Sequence, residues 1–318
     1  MRPYALMQVN SRCLIKGRKL ESPFQPVSNE KTNMTAKLLS GTDVAEAVLG
    51  DVRARVAELT SNGVIPGLGT ILVGDDGPSA SYVRKKHEAC ESVGIRSFHA
   101  ELPATSTQAD LIAAVDDFNT NPEVDAYIIQ YPVPRGLDFN AALMRMLPDK
   151  DADGLHPVNL GNLVLQEDGP RPCTPAGIQA MLLHYDIDIG GREVVIIGRG
   201  PTLGRPLALL LSSKEPGANA AVTVVHSGIA DLGAYTRRAD IVISAAGVAG
   251  IVTPDMITPG SVVVSGGISW QGKRLMPDVD ESVADVAGWI TPRLGGVGPT
   301  TVAMLLKNTV DAAGRRQV

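Results

Sequence analysis

Cysteine, aromatic residues, long apolar runs and excess positive charge are all scarce in this chain, and each scarcity excludes a class. Three cysteines (Cys13, Cys90, Cys173) stand far apart with no C-x-x-C pair. Neither a disulfide framework nor a zinc site follows, and a reducing cytoplasm is the expected location. The longest uncharged apolar-rich stretch, Ile241 to Thr253, is broken by glycine and falls short of the ~20 residues a membrane span needs. With 29 basic against 34 acidic residues the net charge is −5, the wrong sign for a general nucleic-acid binder. Aromatics reach only 4%, against 33 glycines without a period of three. That excludes collagen and suggests an α/β enzyme with many tight turns.

What is present is enough to fold. Hydrophobic residues make up 44% of 318 residues, sufficient for a real core, and at ~150 residues per domain the length favours two domains. Residues 1–33 stand apart. They hold six basic and two acidic residues, leaving −9 on the other 285. The segment shows no clean periodicity, and Ser22-Pro23-Phe24-Gln25-Pro26 reads as a linker. It lacks the ~7–15-residue apolar core of a secretory signal. It is expected to be a disordered leader, or to lie upstream of a true start at Met34.

From Met34 onward helical and strand patterns alternate. Val44, Val48, Val52, Val56 and Leu59 fall on one helical face between Thr42 and Leu59, stopped by Asn62-Gly63. Gly69–Gly74 reads as a strand, Ser79–Val93 and Gln108–Phe118 as helices, Ala126–Tyr131 as a strand ended by Pro132, and Asn140–Met146 as a helix. The second half repeats the logic: a helix over Pro175–Tyr185, a strand at Val194–Ile197, a helix over Gly204–Leu211, and strands at Ala221–Val225, Asp240–Ser244 and Ser261–Val264. Alternation of this kind implies parallel β-α-β units and open sheets, doubly wound in the second half.

Gly198-Arg199-Gly200-Pro201-Thr202-Leu203-Gly204 follows a buried strand and opens a helix, the context a dinucleotide fingerprint requires, although its spacing is one residue longer than the standard form. Glycines allow close approach to a pyrophosphate, and the helix N-terminus supplies N–H donors. An NAD site usually has an acid at the end of the next strand. Here that strand ends in His226-Ser227-Gly228, with no acid before Asp231. Arg199 and Ser227 could instead meet a 2′-phosphate, which favours NADP and keeps NAD as the alternative. His226 is assigned a supporting role at most.

In the first half Tyr82 and Lys86 share a helix face at i and i+4. Their helix follows a glycine turn at a strand's C-terminal end, where open sheets bind ligands. Gln130 is similarly placed before a proline turn. Asp149, Asp151 and Asp153 are spaced like the opening of a calcium loop, but the twelfth position is Leu160, so no metal is expected.

Ser81-Tyr82-Val83-Arg84-Lys85-Lys86, Ile129-Gln130-Tyr131-Pro132, Lys150-Asp151-Ala152-Asp153-Gly154, Pro172-Cys173-Thr174-Pro175, the Gly198 loop and Gly295-Gly296-Val297-Gly298-Pro299 together carry a resemblance. In this order, spanning Met34 to the end, they resemble the bifunctional methylenetetrahydrofolate dehydrogenase/cyclohydrolase family. The resemblance implies two α/β domains facing each other across a cleft. The first, a folate-binding catalytic domain, would occupy 34–157 and be completed by a C-terminal helix over 300–318. The second, a Rossmann-like NADP domain, would occupy 158–299. Lys86 would be the catalytic lysine, Tyr82 would pack on the folate, Gln130 would tune Lys86, and Asp153 would bind the pterin. Gly295, Gly296 and Pro299 would line the substrate side. Gly198, Arg199, Gly200, Gly204, Ser227 and Ile268 would meet NADP. A tetrahydrofolate derivative is the implied substrate, a homodimer the implied assembly, with no nucleic-acid or membrane partner.

The chain departs from the family's pattern at Tyr131 (usually Leu), Arg293, Leu294 and Thr300 around the last glycine loop, Ser265-Gly266 where Asp-Val is common, and Gly200 and Gly228 near the 2′-phosphate. Two other readings are therefore kept: an NADP-dependent dehydrogenase of another small substrate, and a folate or nucleotide binder with reduced catalysis.

Overall fold

The computed structural model describes residues 36–74, 77–272 and 274–316; the expected leader at 1–33 lies outside them. In chain order the elements of the first half are β1 (Lys37–Leu38), α1 (Gly41–Ser61), β2 (Gly67–Val73), α2 (Gly77–Val93), β3 (Arg96–Leu102), α3 (Gln108–Thr120), β4 (Ala126–Ile129), α4 (Phe139–Arg145), α5 (Pro157–Leu165) and α6 (Cys173–His184). The second half adds β5 (Glu193–Ile197), α7 (Gly204–Ser212), β6 (Ala221–Val225), α8 (Gly233–Thr236), β7 (Ile241–Ser244), β8 (Val262–Ser265), β9 (Ile268–Gln271), β10 (Arg274–Pro277), β11 (Trp289–Ile290) and α9 (Val297–Arg315).

Two parallel sheets result. The smaller has the order β3-β2-β4, and the larger β1-β11-β8-β7-β5-β6; β9 and β10 form a separate antiparallel hairpin. In the larger sheet the pleat sends alternate residues to opposite cores. Val194, Ile196, Ile241, Ile243, Val262 and Val264 pack on α6 and α7, while Val195, Ile197, Val242 and Val263 face the other side. Burial on both faces explains why these strands read as continuous apolar runs.

Lys37 and Leu38 pair with Trp289 and Ile290, so this short strand forms the edge of the larger sheet. The last helix begins at Val297, three residues before the expected 300. It packs along α1 and α6, and its Leu305, Leu306 and Val310 join Val52, Val56, Leu68 and Ile128 in the first core. Val44, at the start of α1, and Val297, at the start of α9, belong instead to the core of the larger sheet. These helices thus bridge the two sheets.

Close helix contact needs a glycine at one point. A Cβ on Gly177 of α6 would lie 2.4 Å from the Thr300 Oγ1 of α9. Thr300 is fully buried, its hydroxyl donating to the Val297 carbonyl. A second close approach fixes the loop before α9. The Gly41 and Thr42 amides, at the N-terminus of α1, donate to the Gly295 carbonyl at 2.8 and 3.2 Å, and a Cβ on Gly41 would strike the Gly296 carbonyl oxygen.

Candidate active site

The C-terminal ends of both sheets open into one cleft. Its larger cavity, of about 1060 Å³, is lined by Tyr82 and Lys86 of α2, Gln130 after β4, Gly295, Gly296 and Pro299 around the start of α9, and Ile268 of the hairpin. A smaller cavity of about 180 Å³ continues from it and is lined by Lys86, Gln130, Asp153 and Cys173. Lys86 and Gln130 border both.

The reach of Lys86 follows from its helix. With the deeply buried Cys90 one turn on packed in the first core, the same face of α2 turns Lys86 inward. Its ammonium donates to Gln130 Oε1 at 3.1 Å, and Gln130 Nε2 donates to the Tyr131 carbonyl at 2.8 Å. That second bond fixes which end of the amide faces the lysine. Gln130 lies one residue beyond the end of β4, where its amide still donates to the Ile71 carbonyl at 2.8 Å. The strand expected to run to Tyr131 stops at Ile129, and the Tyr131–Pro132 peptide is cis.

Burial lowers the Lys86 pKa, opposed by the nearby charge of Asp153. Burial raises the pKa of Asp153, opposed by Lys86. Desolvation outweighs attraction at both groups, which brings the proton affinities of an amine and a carboxyl toward each other. Burial likewise pushes the Cys173 thiol up, reinforced by Asp153 and Asp151. Cys173 donates to the Ala152 carbonyl at 3.2 Å. It is a packing group.

Asp151 and Asp153 divide their work. Asp151 is buried and accepts from the His156 amide at 2.7 Å, Asn159 Nδ2 at 2.8 Å and the Gly154 amide at 3.0 Å. It therefore shapes the turn that presents Asp153. Gly154 completes that turn at φ +72°, where a Cβ would meet Arg171 backbone at 2.4 Å. The calcium-like spacing seen in the sequence is a self-capped turn.

The cofactor residues expected from sequence sit mostly outside the larger cavity. Gly198, Arg199, Gly200 and Gly204 form the turn from β5 into α7, and Ser227 lies just beyond β6, the neighbouring strand. Of this set only Ile268 lines the cavity, joined by Thr202 from the glycine turn. Two glycines are sterically required. A Cβ on Gly198 (φ +120°) would lie 2.3 Å from the Ala245 carbonyl oxygen, and one on Gly204 would lie 2.2 Å from that of Gly198. Gly200 has open space around its Cβ position, so nothing steric demands glycine there. Arg199 and Ser227 are exposed, and the turn is thus an open cradle flanked by a cation and a hydroxyl, which fits a phosphate-bearing dinucleotide. His226 Nδ1 accepts from the Gly228 amide at 3.1 Å, a local role that shapes the turn holding Ser227.

Sequence reasoning did not assign Thr174, Thr202, Trp270, Leu275 or Pro277 to the cleft, yet all line it. Thr202 lies inside the glycine motif and was within reach. Trp270, Leu275 and Pro277 belong to a hairpin that left no periodic signal. Among the described residues no acidic side chain lines the larger cavity, whereas Lys85, Lys86 and Arg293 do. Arg293 also lies 3.4 Å from Glu281.

A family model described as the catalytic domain of tetrahydrofolate dehydrogenase/cyclohydrolase matches residues 39–153. The model of that family's NAD(P)-binding domain matches residues 172–317. The chain belongs to the tetrahydrofolate dehydrogenase/cyclohydrolase family. It is 75% identical to the bifunctional protein FolD of Syntrophotalea carbinolica, over 89% of this chain and 98% of that one. Among solved structures it resembles the bifunctional FolD enzyme of Campylobacter jejuni, with a TM-score of 0.84 and 38% identity over 88% of this chain and 99% of that one. The FolD of Trypanosoma brucei, solved with NADP and an inhibitor, gives the same score and identity over 89% of this chain and 98% of that one. The expected family and two-domain α/β fold class are thereby established.

Proposed function

We infer that Lys86, Gln130, Tyr82 and Asp153 carry both reactions of this bifunctional enzyme on one folate. The chain oxidises 5,10-methylenetetrahydrofolate to the 5,10-methenyl form with NADP and hydrolyses that cation to 10-formyltetrahydrofolate. The observation that carries the residue roles is the Lys86–Gln130 contact at the junction of the two cavities.

NADP, when bound, supplies the hydride acceptor. For that first step the protein's task is alignment of the one-carbon bridge. Tyr82 offers a ring on the cavity wall against which the substrate's aromatic part packs. Asp153, held by the Asp151 turn, faces the pterin's donors from the smaller cavity. Hydrolysis then needs a proton moved at the attacking water. Lys86 Nζ, with one N–H engaged by Gln130 and its basicity lowered by burial, accepts that proton and returns it as the ring opens. Gly198, Gly204, Arg199 and Ser227 hold the phosphate groups, and Ile268 meets the nicotinamide end. Arg199 and Ser227 in place of a strand-end acid favour NADP over NAD.

A coupled spectroscopic assay tests this, with NADP and NAD supplied separately and methenyl loss followed in the same cuvette. Lys86→Met is expected to lose cyclohydrolase turnover while circular dichroism stays native; undiminished turnover would remove Lys86 from the mechanism. A cytoplasmic homodimer is the assembly we propose, checked by sedimentation. No helix among the described residues is long and apolar enough to cross a membrane.

A further inference from the structure

We propose that Asp278 is a positioning residue for the dehydrogenase step and not for hydrolysis, holding the loops after β7 and β8 in register with the glycine turn.

Asp278 follows β10 and is fully buried. Its Oδ2 accepts three hydrogen bonds, from Ser244 Oγ and the Ala246 amide at 2.8 Å and from the Gly247 amide at 3.0 Å. All three donors lie at the end of β7 or in the loop after it. The Asp278 amide donates to Ser265 Oγ at 3.0 Å and to the Gly267 carbonyl at 3.3 Å, both at the end of β8. Gly267 closes the contact from the other side, since a Cβ there would lie 2.1 Å from Asp278 Oδ2.

This arrangement reaches the cleft in two directions. The loop after β7 begins at Ala245, whose carbonyl oxygen is the atom a Gly198 side chain would strike, and whose amide donates to the Ile197 carbonyl at 2.7 Å. The end of β8, the loop after it and the start of β9 supply Ser265, Gly266 and Ile268 to the cavity wall, and Pro277 lines it beside Asp278 itself. One side chain thus ties the glycine turn's neighbour to the wall at the hairpin. Lys86 comes from α2, Gln130 from just beyond β4 and Asp153 from the turn before α5, and none of them bonds to this network.

The chemistry suits alignment better than stability alone. Asp278 has no cationic partner among the described residues, and its Oδ1 has no hydrogen-bond partner. A bare buried oxygen is unfavourable in a purely structural site. Concentrating three donors on the other oxygen gives short, directional bonds to an anion, and two of those donors are consecutive backbone amides that fix the loop itself. Hydride transfer is sensitive to displacements of about 1 Å. Hydrolysis takes place on a substrate held by the opposite wall.

The inference rests on assigning this edge of the larger sheet to NADP, and the bifunctional enzyme supplies its own control. Asp278→Asn and Ser244→Ala are to be assayed for dehydrogenase activity and, with methenyl substrate added directly, for cyclohydrolase activity. Asp278→Asn keeps an acceptor but removes the charge, and roughly a tenfold or greater loss of dehydrogenase kcat/KM for NADP is expected. Cyclohydrolase kcat should stay within about twofold. Ser244→Ala, which deletes one donor, should show the same selectivity at several-fold size, and it carries the test if Asp278→Asn does not fold. Parallel loss of both activities, tracking the folded fraction, would overturn the proposal, as would retention of both. Gly198→Ala assayed alongside separates the two readings: unchanged KM for NADP in that variant would refute the cofactor assignment itself.

Discussion

Lys86 combines two properties that a stable fold would keep apart, an amine and a desolvated site. Its lowered pKa gives it, at any one pH, a larger share of neutral amine than an ordinary lysine at ~10.4 has. The cyclohydrolase rate should therefore rise with pH through an apparent pKa below that value, and a pH–rate profile of the purified enzyme would reveal the limb. Stability is linked to the same shift. Between the lowered folded pKa and the unfolded one, the unfolded chain binds the extra proton, so this lysine's contribution becomes more favourable as pH rises through that window. At neutral pH its burial opposes folding. Lys86→Met, of similar length and without the charge, should thus raise the urea midpoint while losing turnover, a trade expected of functional sites. A lower midpoint would contradict the reading of Lys86 as desolvated.

At the scale of elements, the glycine turn and the α6–α9 contact make opposite demands on similar residues. Gly198→Ala places a methyl group into the Ala245 carbonyl at a φ that disfavours side chains. It should cost dehydrogenase activity more than tenfold, by the alignment argument, and spare hydrolysis. Gly200→Ala meets open space and should alter NADP binding little, a contrast visible in the same titration. Gly177→Ala forces α6 from Thr300 and should destabilise the fold by about 1–3 kcal/mol, measured by urea denaturation. Legibility in the sequence followed the same physics. Strands buried on both faces, such as Ile241–Ser244, were readable to within a residue. By contrast β3, an edge strand, alternates Phe98, Ala100 and Leu102 with Ser97, His99 and Glu101, but its apolar side is only half-buried and includes a single alanine, and this short pattern was missed. The helix α5 was missed as well, because its Pro157 start and mixed PVNLGNLVL sequence give no polar face to contrast with a buried one. In the candidate site, Lys86, Gln130 and Asp153 were legible through motif resemblance. Asp278 was not, because its role depends on loops from β7 and β8 meeting in space.

At the scale of the molecule, α1 and α9 contribute side chains to the cores on both sheets. A cleft whose two walls share their helices has little freedom to hinge at that end. Unfolding should then be a single cooperative transition despite the two-domain organisation, with near-UV and far-UV signals coincident in urea. Two separated transitions would show that the helices do not couple the sheets. The polar clasp at the end of α9 works in the same direction, for Arg316 reaches the buried Asp125 at 2.6 Å and the Ile65 carbonyl at 3.3 Å.

The pairing of Lys37–Leu38 with Trp289–Ile290 also sets a timetable. During synthesis the strand at residue 37 has no neighbour until residue 289 is made. At roughly 5–20 residues per second, that delay is on the order of 10–50 s. The smaller sheet is complete by residue 129, yet the helix that covers it spans residues 297–315. A ribosome therefore holds a three-stranded sheet with one face incompletely covered until nearly the whole chain has emerged. Both sheets receive their final partners from the last tenth of the sequence, so a chain that terminates early leaves neither domain able to close.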